Sequence, residues 1–178
     1  MRTLTRVVLF VALLLITMLT AFQIFRVHLN TTTSYPRGLW IEDDALDDGI
    51  GRRRPFVLAC APGEELRDFY IERGYLPWGI RCGGTIALLK RVFASAGDTW
   101  VVTDGGVLVN GVVIQNTAPK RTDSAGRRLP KISGGIVPDN HVLLLSDYSP
   151  RSFDGRYFGT TPVMDLISEV KPLWTESH

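Results

Sequence analysis

The first feature of the chain is an unbroken apolar stretch near its amino terminus. Residues 7–25 carry no charge, and Arg2 and Arg6 lie on the amino-terminal side of the stretch. At about 1.5 Å per residue, a helix of this length nearly matches a hydrocarbon core of about 30 Å. A soluble core helix is rarely apolar on every side. The pattern predicts a transmembrane anchor whose positive end stays in the cytoplasm, so that the rest of the chain is exported.

A cleaved signal peptide is the alternative interpretation of the same stretch. Leu19 and Ala21 match the small-residue pattern of a cleavage site poorly, and the apolar run is longer than the usual core of a signal peptide. We therefore expect a cytoplasmic tip and transmembrane anchor at 1–26 and an exported domain at 27–178. Whether the mature protein keeps its amino-terminal segment stays open.

The remainder of the chain has the pattern of a β-rich domain. Short apolar runs alternate with clusters of Gly, Pro and Asp, and Asp104-Gly105-Gly106 and Asn110-Gly111 supply the residues that tight hairpin turns require. The predicted strands are 38–42, 55–60, 86–94, 100–102, 107–109, 112–114, 141–145 and 163–174. Between residues 62 and 74 the period changes, since Leu66, Phe69 and Tyr70 would share one face of a short helix. We place this helix in an insert at about 61–84.

Two cysteines bracket the helical insert. In an oxidising compartment Cys60 and Cys82 can form a disulfide, and closing a loop of that length stabilises the fold by about 3 kcal/mol. A reactive thiol is the alternative, but no histidine lies near either cysteine in the sequence. We expect a structural disulfide.

Composition narrows the classes of function. Apolar residues at 45% and charged residues at 21% fit an ordered globular domain, while 17 Gly and 10 Pro favour turns and short strands. The formal charge of +2 gives no argument for binding nucleic acid. Two cysteines exclude a zinc site made of four cysteines. We expect no metal and no cofactor.

Three short segments carry residues with catalytic chemistry. Ser34 lies about nine residues beyond the apolar stretch, close to a proline that favours a turn. Lys90 lies among branched aliphatic residues on a predicted strand. Such a lysine usually extends its ammonium group into solvent. If the side chain is buried instead, desolvation lowers the pKa of Lys90 and produces a neutral amine. In the polar segment 146–159, Asp154 and Arg156 could form a structural ion pair.

In this order, the three segments resemble those of bacterial type I signal peptidases, which are serine peptidases with a Ser-Lys dyad. The sequence KRV followed by GD is similar to their lysine box, and GGVLVNG to its continuation. The segment from Ser152 to Gly159 is similar to the family's Ser-x-Asp-Ser-Arg-x-x-Gly box, and Ser34, two residues before Pro36, occupies the place of the nucleophile. The resemblance implies a mainly β, signal-peptidase-like antiparallel domain with a short helical insert, preceded by one transmembrane helix.

Several departures from that pattern point to one branch of the family. Tyr35 stands where general signal peptidases usually have Met, Ala96 where they have Pro, and Gly155 where they have Ser. The segment before the helix reads FVLAC, and the serine segment reads Ser-x-Pro-x-Gly-Leu. These features resemble the TraF branch, the conjugative-transfer peptidases.

The resemblance implies a role for each site residue. Ser34 would attack the scissile carbonyl while neutral Lys90 accepts its proton. The backbone N–H of Ser34 and the hydroxyl of Thr32 would hold the oxyanion. Ser152 would orient the lysine.

The polar segment would support this pair. Asp154, with Arg156 as its partner, would fix the loop that presents Ser152 and would tune Lys90. A Ser-His-Asp triad is the competing chemistry, with only His28, His141 and His178 available.

The predicted function is a membrane-anchored serine endopeptidase of the bacterial inner membrane, with one membrane span and its catalytic domain in the periplasm. In the TraF branch the substrate is a conjugative propilin, which some members join head to tail, and mating-pair or type IV secretion components are the expected partners. A general signal peptidase acting on preproteins is one alternative. A non-catalytic scaffold of a secretion or conjugation apparatus is the other.

Overall fold

The amino-terminal stretch forms a single helix. The computed structural model describes residues 2–43, 46 and 50–176. Helix α1 (Arg2–Ile24) has 23 residues, and most of its described apolar side chains, such as those of Leu9 and Phe10, are exposed. Within the described ranges, no helix is both long enough and apolar enough to count as a membrane span. The anchor therefore stays a prediction, as do the domain boundaries.

The rest of the described chain is mainly antiparallel β-strand, as the sequence predicts. Its strands are β1 (Val27–Asn30), β2 (Gly38–Asp43), β3 (Phe56–Ala59), β4 (Trp78–Cys82), β5 (Leu88–Ser95), β6 (Thr99–Thr103), β7 (Gly106–Val109), β8 (Val112–Val113), β9 (Gly134–Ile136), β10 (His141–Leu145), β11 (Thr161–Pro162) and β12 (Leu166–Thr175). Its helices are α2 (Ile50–Arg53), α3 (Glu64–Glu72) and α4 (Gly155–Phe158), with a 3₁₀ turn at Val163–Asp165. That turn occupies the start of the strand predicted at 163–174.

The strands form two sheets. Seven strands pair in the order β1-β2-β12-β3-β5-β10-β11, and four pair in the order β8-β7-β6-β9. Strand β5 lies in the interior of the larger sheet, where Lys90 is opposite Val57 of β3. All residues of β5 except Arg91 and Ser95 are buried. Both faces of β5 are therefore covered by protein, and the Lys90 side chain on this strand is buried.

Apolar clusters cover both faces of the central strands. One cluster joins the two sheets and includes Phe93, Trp100 and Leu143. A second lies beneath the connection between β1 and β2 and contains Tyr35, Trp40, Leu58, Cys82, Ala87, Leu89 and Val170. The connection that carries Ser34 therefore rests on a packed base.

The insert contains the predicted helix and the predicted disulfide. Cys60 and Cys82 are bonded to each other. Helix α3 packs through Tyr70, which lies in a buried cluster with Leu76 and Leu88. Strand β4, which the sequence does not predict, completes the insert and ends at the second cysteine.

Candidate active site

The Ser34 segment is held by the side chain of one buried residue, Asn30. The Asn30 amide donates hydrogen bonds of 3.1 Å to the backbone oxygens of Tyr35 and Pro36. Its oxygen accepts from the backbone N–H of Thr32 at 3.1 Å and from the Thr32 hydroxyl at 2.8 Å. Sequence reasoning missed this residue, and the available signal was a polar side chain at the last position of a strand before a turn. Asn30 thereby fixes the conformation of the turn on both sides of Ser34.

The glycine of the Ser-x-Pro-x-Gly-Leu pattern has a steric explanation. Gly38 has φ +135°, and a Cβ on it would collide with the backbone oxygen of Trp174 on the neighbouring strand β12. Only glycine therefore allows β2 to begin here in this close pairing.

Two further contacts attach the Ser34 segment to the end of β10. The Ser146 hydroxyl donates to the backbone oxygen of Ser34 at 2.5 Å. The Tyr35 hydroxyl donates to Oδ1 of Asp147 at 2.8 Å, and Tyr35 itself is buried. Burial, together with the Asp147 carboxylate, raises the pKa of the Tyr35 phenol, so it stays a neutral donor. Tyr35, where general signal peptidases usually have Met, thus serves as a tether.

The hydroxyl of Ser34 lies between Lys90 and Ser152. Lys90 Nζ is 2.7 Å from Ser34 Oγ, and the Ser152 hydroxyl donates to the same oxygen at 3.3 Å. Ser34 itself is half-buried, so its hydroxyl stays within reach of a substrate. The structure pairs Ser152 with Ser34, whereas the sequence assigns it to the lysine. Its role in orienting Lys90 stays a prediction.

Lys90 is in an environment that disfavours its charge. Its side chain is almost fully buried, with 2% of its surface exposed. Loss of hydration lowers the pKa of the Lys90 ammonium from 10.5 to about 8; the Asp154 carboxylate opposes this shift and the Arg156 guanidinium adds to it. A substantial fraction of the amine is therefore neutral near pH 8, and a neutral amine can accept a proton.

Asp154 and Arg156 form a fully buried ion pair beside this centre. The guanidinium donates to both carboxylate oxygens of Asp154, at 2.8 and 2.9 Å, and each side chain has no exposed surface. Asp154 also accepts the backbone N–H of Ser146 at 3.0 Å, and Arg156 donates to the Ser146 backbone oxygen at 3.1 Å. The pair therefore holds the residue that binds the Ser34 carbonyl. It is a structural ion pair in contact with the site.

Gly155, which lies between Asp154 and Arg156 in the sequence, packs closely against β10. A Cβ at this position would lie 2.8 Å from both the Leu144 backbone oxygen and Cδ1 of Leu143. That is closer than a side chain tolerates, so the Ser of the general family pattern would require β10 to move. The departure noted in the sequence therefore matches the close approach of α4 to β10.

Thr32 differs from the expectation in its hydrogen bonding. Its only hydroxyl proton is donated to Asn30. To donate to an oxyanion, the Thr32 hydroxyl must leave that bond. Its assignment to the oxyanion site stays a prediction.

The described histidines form no hydrogen bond with the Ser34 hydroxyl. Among the described residues, the side chains that hydrogen-bond the Ser34 hydroxyl are Lys90 and Ser152. Nδ1 of His141 lies 3.0 Å from the backbone oxygen of Asp139, at the start of β10. His28 lies in β1 opposite Trp40, and His178 is outside the described residues. Within the part of the chain that is described, no group of three His, Cys, Asp or Glu residues could hold a metal ion.

The family of the chain follows from its sequence similarity. A family model described as signal peptidase, peptidase S26, matches residues 1–174. The chain belongs to this family. Its members are serine peptidases, and the match covers every residue of the site described above.

Several relatives of known description are TraF proteins. The chain is 38% identical over 151 residues to a plasmid transfer protein TraF of Escherichia coli, a match that covers 83% of this chain and 82% of the relative. It is 36% identical over 149 residues to a conjugal transfer protein TraF of Agrobacterium tumefaciens (strain 15955), with 83% and 82% covered. The predicted membership of the TraF-type branch is confirmed.

A solved structure with a partial likeness is the crystal structure of a signal peptidase I from Enterococcus faecalis V583. The identity is 23% and the TM-score is 0.34, over 49% of this chain and 86% of that one.

Proposed function

We propose that this protein is a membrane-anchored serine endopeptidase that cleaves an exported precursor by means of a Ser34-Lys90 dyad. The observation that carries the proposal is the 2.7 Å approach of Lys90 Nζ to Ser34 Oγ. A buried lysine with a lowered pKa beside the hydroxyl of a half-buried serine is an arrangement that can activate the serine without histidine. Membership of the peptidase S26 family supports the same chemistry.

The proposed reaction begins with neutral Lys90. As Ser34 Oγ forms a bond to the scissile carbonyl carbon, its proton moves to Lys90 Nζ. When the C–N bond breaks, the lysine passes this proton to the leaving amine, and an ester to Ser34 remains. Attack on this ester by water gives a linear product, whereas attack by the substrate's own amino group gives a cyclic one. Either attack returns the proton to Ser34 Oγ and frees the enzyme.

Stabilisation of the oxyanion is assigned to the backbone around Ser34. The N–H of Ser34 has no hydrogen-bond acceptor among the described residues, so it is free to donate to the developing negative charge. The bonds from Asn30 and Ser146 keep this N–H in one direction. Thr32 would be a second donor after rotation away from Asn30.

The substrate that we propose is a conjugative propilin. The TraF relatives are described as plasmid or conjugal transfer proteins, which supports a role in the assembly of a mating apparatus. We infer that mating-pair or type IV secretion components are neighbours of the enzyme in the cell. Cyclisation of the product is the second step of the proposal.

We place α1 in the bacterial inner membrane and the catalytic domain in the periplasm. The exposed apolar side chains of the helix and the arginines at its amino end support this orientation. The Cys60–Cys82 disulfide supports an oxidising compartment for the domain. Protease added to spheroplasts should digest the domain, whereas intact cells should protect it.

Mass spectrometry of a candidate pilin tests the function. A candidate pilin precursor is co-produced with wild-type, Ser34→Ala or Lys90→Ala enzyme, and its intact mass is measured. We expect trimming with the wild type alone, and a product lighter by one water than the trimmed linear peptide would show cyclisation. If the pilin is unchanged but exported preproteins lose their signal peptides, the general signal peptidase is the better assignment. If Ser34→Ala leaves pilus assembly intact, the protein acts as a scaffold.

A further inference from the structure

A cavity of about 320 Å³ opens beside the active site. Ser152 connects the two, because it lines the cavity and its hydroxyl lies 3.3 Å from Ser34 Oγ. An extended chain advances about 3.3–3.6 Å per residue. A group carried within about three residues of the scissile bond can therefore reach the cavity while the bond lies at Ser34.

Aromatic rings form the inner wall of the cavity. The ring of Phe153 lies 4.8 Å from that of Tyr75 and 5.6 Å from that of Tyr157. The hydroxyl of the buried Tyr157 accepts the backbone N–H of Lys120 at 2.9 Å, which fixes the segment across the opening. The wall is therefore mainly aromatic, and electrostatic interactions are screened less beside such a wall than in water.

The rim of the cavity is positively charged. Lys120 and Arg151 both line it and both are exposed. Neither side chain forms an ion pair with any residue that the structure describes. Asp123 also lines the cavity, but its carboxylate is already bound by Arg127 and by the Tyr75 hydroxyl, each at 2.7 Å. Two positive charges without an ion-pair partner among the described residues therefore line the cavity.

We infer that this cavity is a specificity subsite for a carboxylate of the peptide substrate. The carboxylate belongs either to an Asp or Glu side chain near the scissile bond or to the free carboxyl terminus of a short leaving peptide. Lys120 and Arg151 bind it at the rim, and the aromatic wall packs against the adjoining carbon atoms. The inference rests on the proposed peptidase function, and it adds the chemical class that the site selects.

The cleavage specificity of the full-length enzyme in detergent micelles tests this subsite. A mixed library of peptides from a digested bacterial proteome is incubated with wild-type and Ser34→Ala enzyme, and every Ser34-dependent cut is located by mass spectrometry. We expect acidic groups within three residues of the cuts to be enriched about tenfold, the size that two partly exposed ion pairs together supply. Synthetic peptides with Glu or Gln at the enriched position, each with a free or amidated carboxyl terminus, then separate the two sources of the carboxylate.

Charge variants assign the preference to the cavity. The double variant Lys120→Gln, Arg151→Gln should lose the acidic enrichment, and Lys120→Glu, Arg151→Glu should replace it with enrichment of Lys and Arg. Lys131→Gln removes one positive charge at an exposed lysine outside this cavity and should keep the wild-type preference. Thermal unfolding of each variant checks that the fold is retained.

Two results would overturn the inference. One is Ser34-dependent cutting by the wild type with no acidic preference, and the other is a preference that survives in both double variants. Failure of the peptidase function itself looks different, because then neither the library nor the pilin precursor is cut in a Ser34-dependent way.

Discussion

Lys90 Nζ lies 2.7 Å from Ser34 Oγ, although the two residues are 56 positions apart in the sequence. The lysine comes from an interior strand of the larger sheet, and the serine comes from the connection between β1 and β2 at one end of that sheet. The buried side chain of Lys90 meets this connection inside the protein, where its ammonium is poorly solvated. The same burial that lowers its pKa therefore delivers the amine to the hydroxyl.

The first prediction concerns the pH dependence of cleavage. Because Lys90 must be neutral to accept a proton and its pKa is lowered to about 8, the rate should rise with pH through about 8 and level off above it. Below that value each pH unit should reduce the rate about tenfold, as the ammonium form increases. The measurement is the initial rate of peptide cleavage between about pH 6 and pH 10.

Two variants serve as controls for this pH profile. Lys90→Ala should abolish cleavage, and His141→Ala should leave the profile unchanged. An inflection near pH 6.5 that His141→Ala removes would instead indicate a histidine base.

The second prediction is that the proposed base lowers the stability of the fold. In the unfolded chain the lysine holds its proton up to about pH 10.5, whereas in the folded protein its pKa is about 8. Below pH 8 the folded state thus carries an unfavourable buried charge, and wild-type stability should rise between about pH 8 and pH 10.5. Lys90→Met removes this charge and should be inactive, yet more stable by about 1–3 kcal/mol at pH 7.

Unfolding by denaturant at two pH values measures the effect of Lys90→Met. The stability gain over the wild type should shrink as the pH approaches 10.5. Lys171→Met is the matched control, because 66% of that side chain is exposed. A Lys90→Met protein that is less stable than the wild type at both pH values would contradict this prediction. It would show that the contacts of the amine stabilise the fold by more than its burial destabilises it.

The extent to which the sequence predicts the fold depends on strand length and burial. Strands β5 and β10 are mostly apolar and mostly buried, so their sequence pattern is clear and they were predicted with small errors at their ends. Strand β9 has three exposed residues, Gly134–Ile136, and exists because it pairs with β6. A strand that is defined by its neighbour alone has no local signal.

The residues of the candidate site likewise divide into those with a local sequence signal and those without one. Ser34 and Lys90 were found because their surrounding residues resemble family motifs, and Asp154 and Arg156 lie in one such motif. Asn30 and Ser146 act through backbone oxygens, and Ser146 reaches Ser34 across 112 positions. Such contacts depend on the folded backbone and leave no motif of their own.

A third prediction concerns the buried ion pair. Asp154→Ala would leave the Arg156 guanidinium buried without its carboxylate, which should destabilise the fold by about 3–5 kcal/mol. Activity should fall as well, because the pair holds Ser146, whose hydroxyl binds the Ser34 carbonyl. The double variant Asp154→Ala, Arg156→Met should lose less stability than the sum of the single changes.

Denaturant unfolding of the four proteins in this cycle provides the measurement. As a control, Lys171→Ala breaks an exposed ion pair with Asp43 and should change stability by less than about 1 kcal/mol. Additive losses in the cycle would mean that Asp154 and Arg156 act on the fold independently.

The last prediction concerns Asn30, which holds the turn that carries Ser34 without a hydrogen bond to the serine hydroxyl. Asn30→Ala removes the hydrogen bonds that its amide donates to the backbone oxygens of Thr32, Tyr35 and Pro36, and the two that its oxygen accepts from Thr32. The turn should then lose its fixed direction. Small displacements of a reacting group are costly, so kcat should fall about a hundredfold with a much smaller change in KM. Asn30→Asp keeps the acceptor for Thr32 but sets a carboxylate oxygen against the backbone oxygens of Tyr35 and Pro36, so its kcat should fall at least as far as that of Asn30→Ala. Thr31→Ala changes an exposed neighbour in the same turn and should leave both constants unchanged.

Rates are compared well below the unfolding temperature of each variant, so that lost stability is not mistaken for lost positioning. An Asn30→Ala enzyme with normal kcat under these conditions would restrict the residue to a structural role, and the direction of the Ser34 N–H would then have to come from Ser146 and Tyr35.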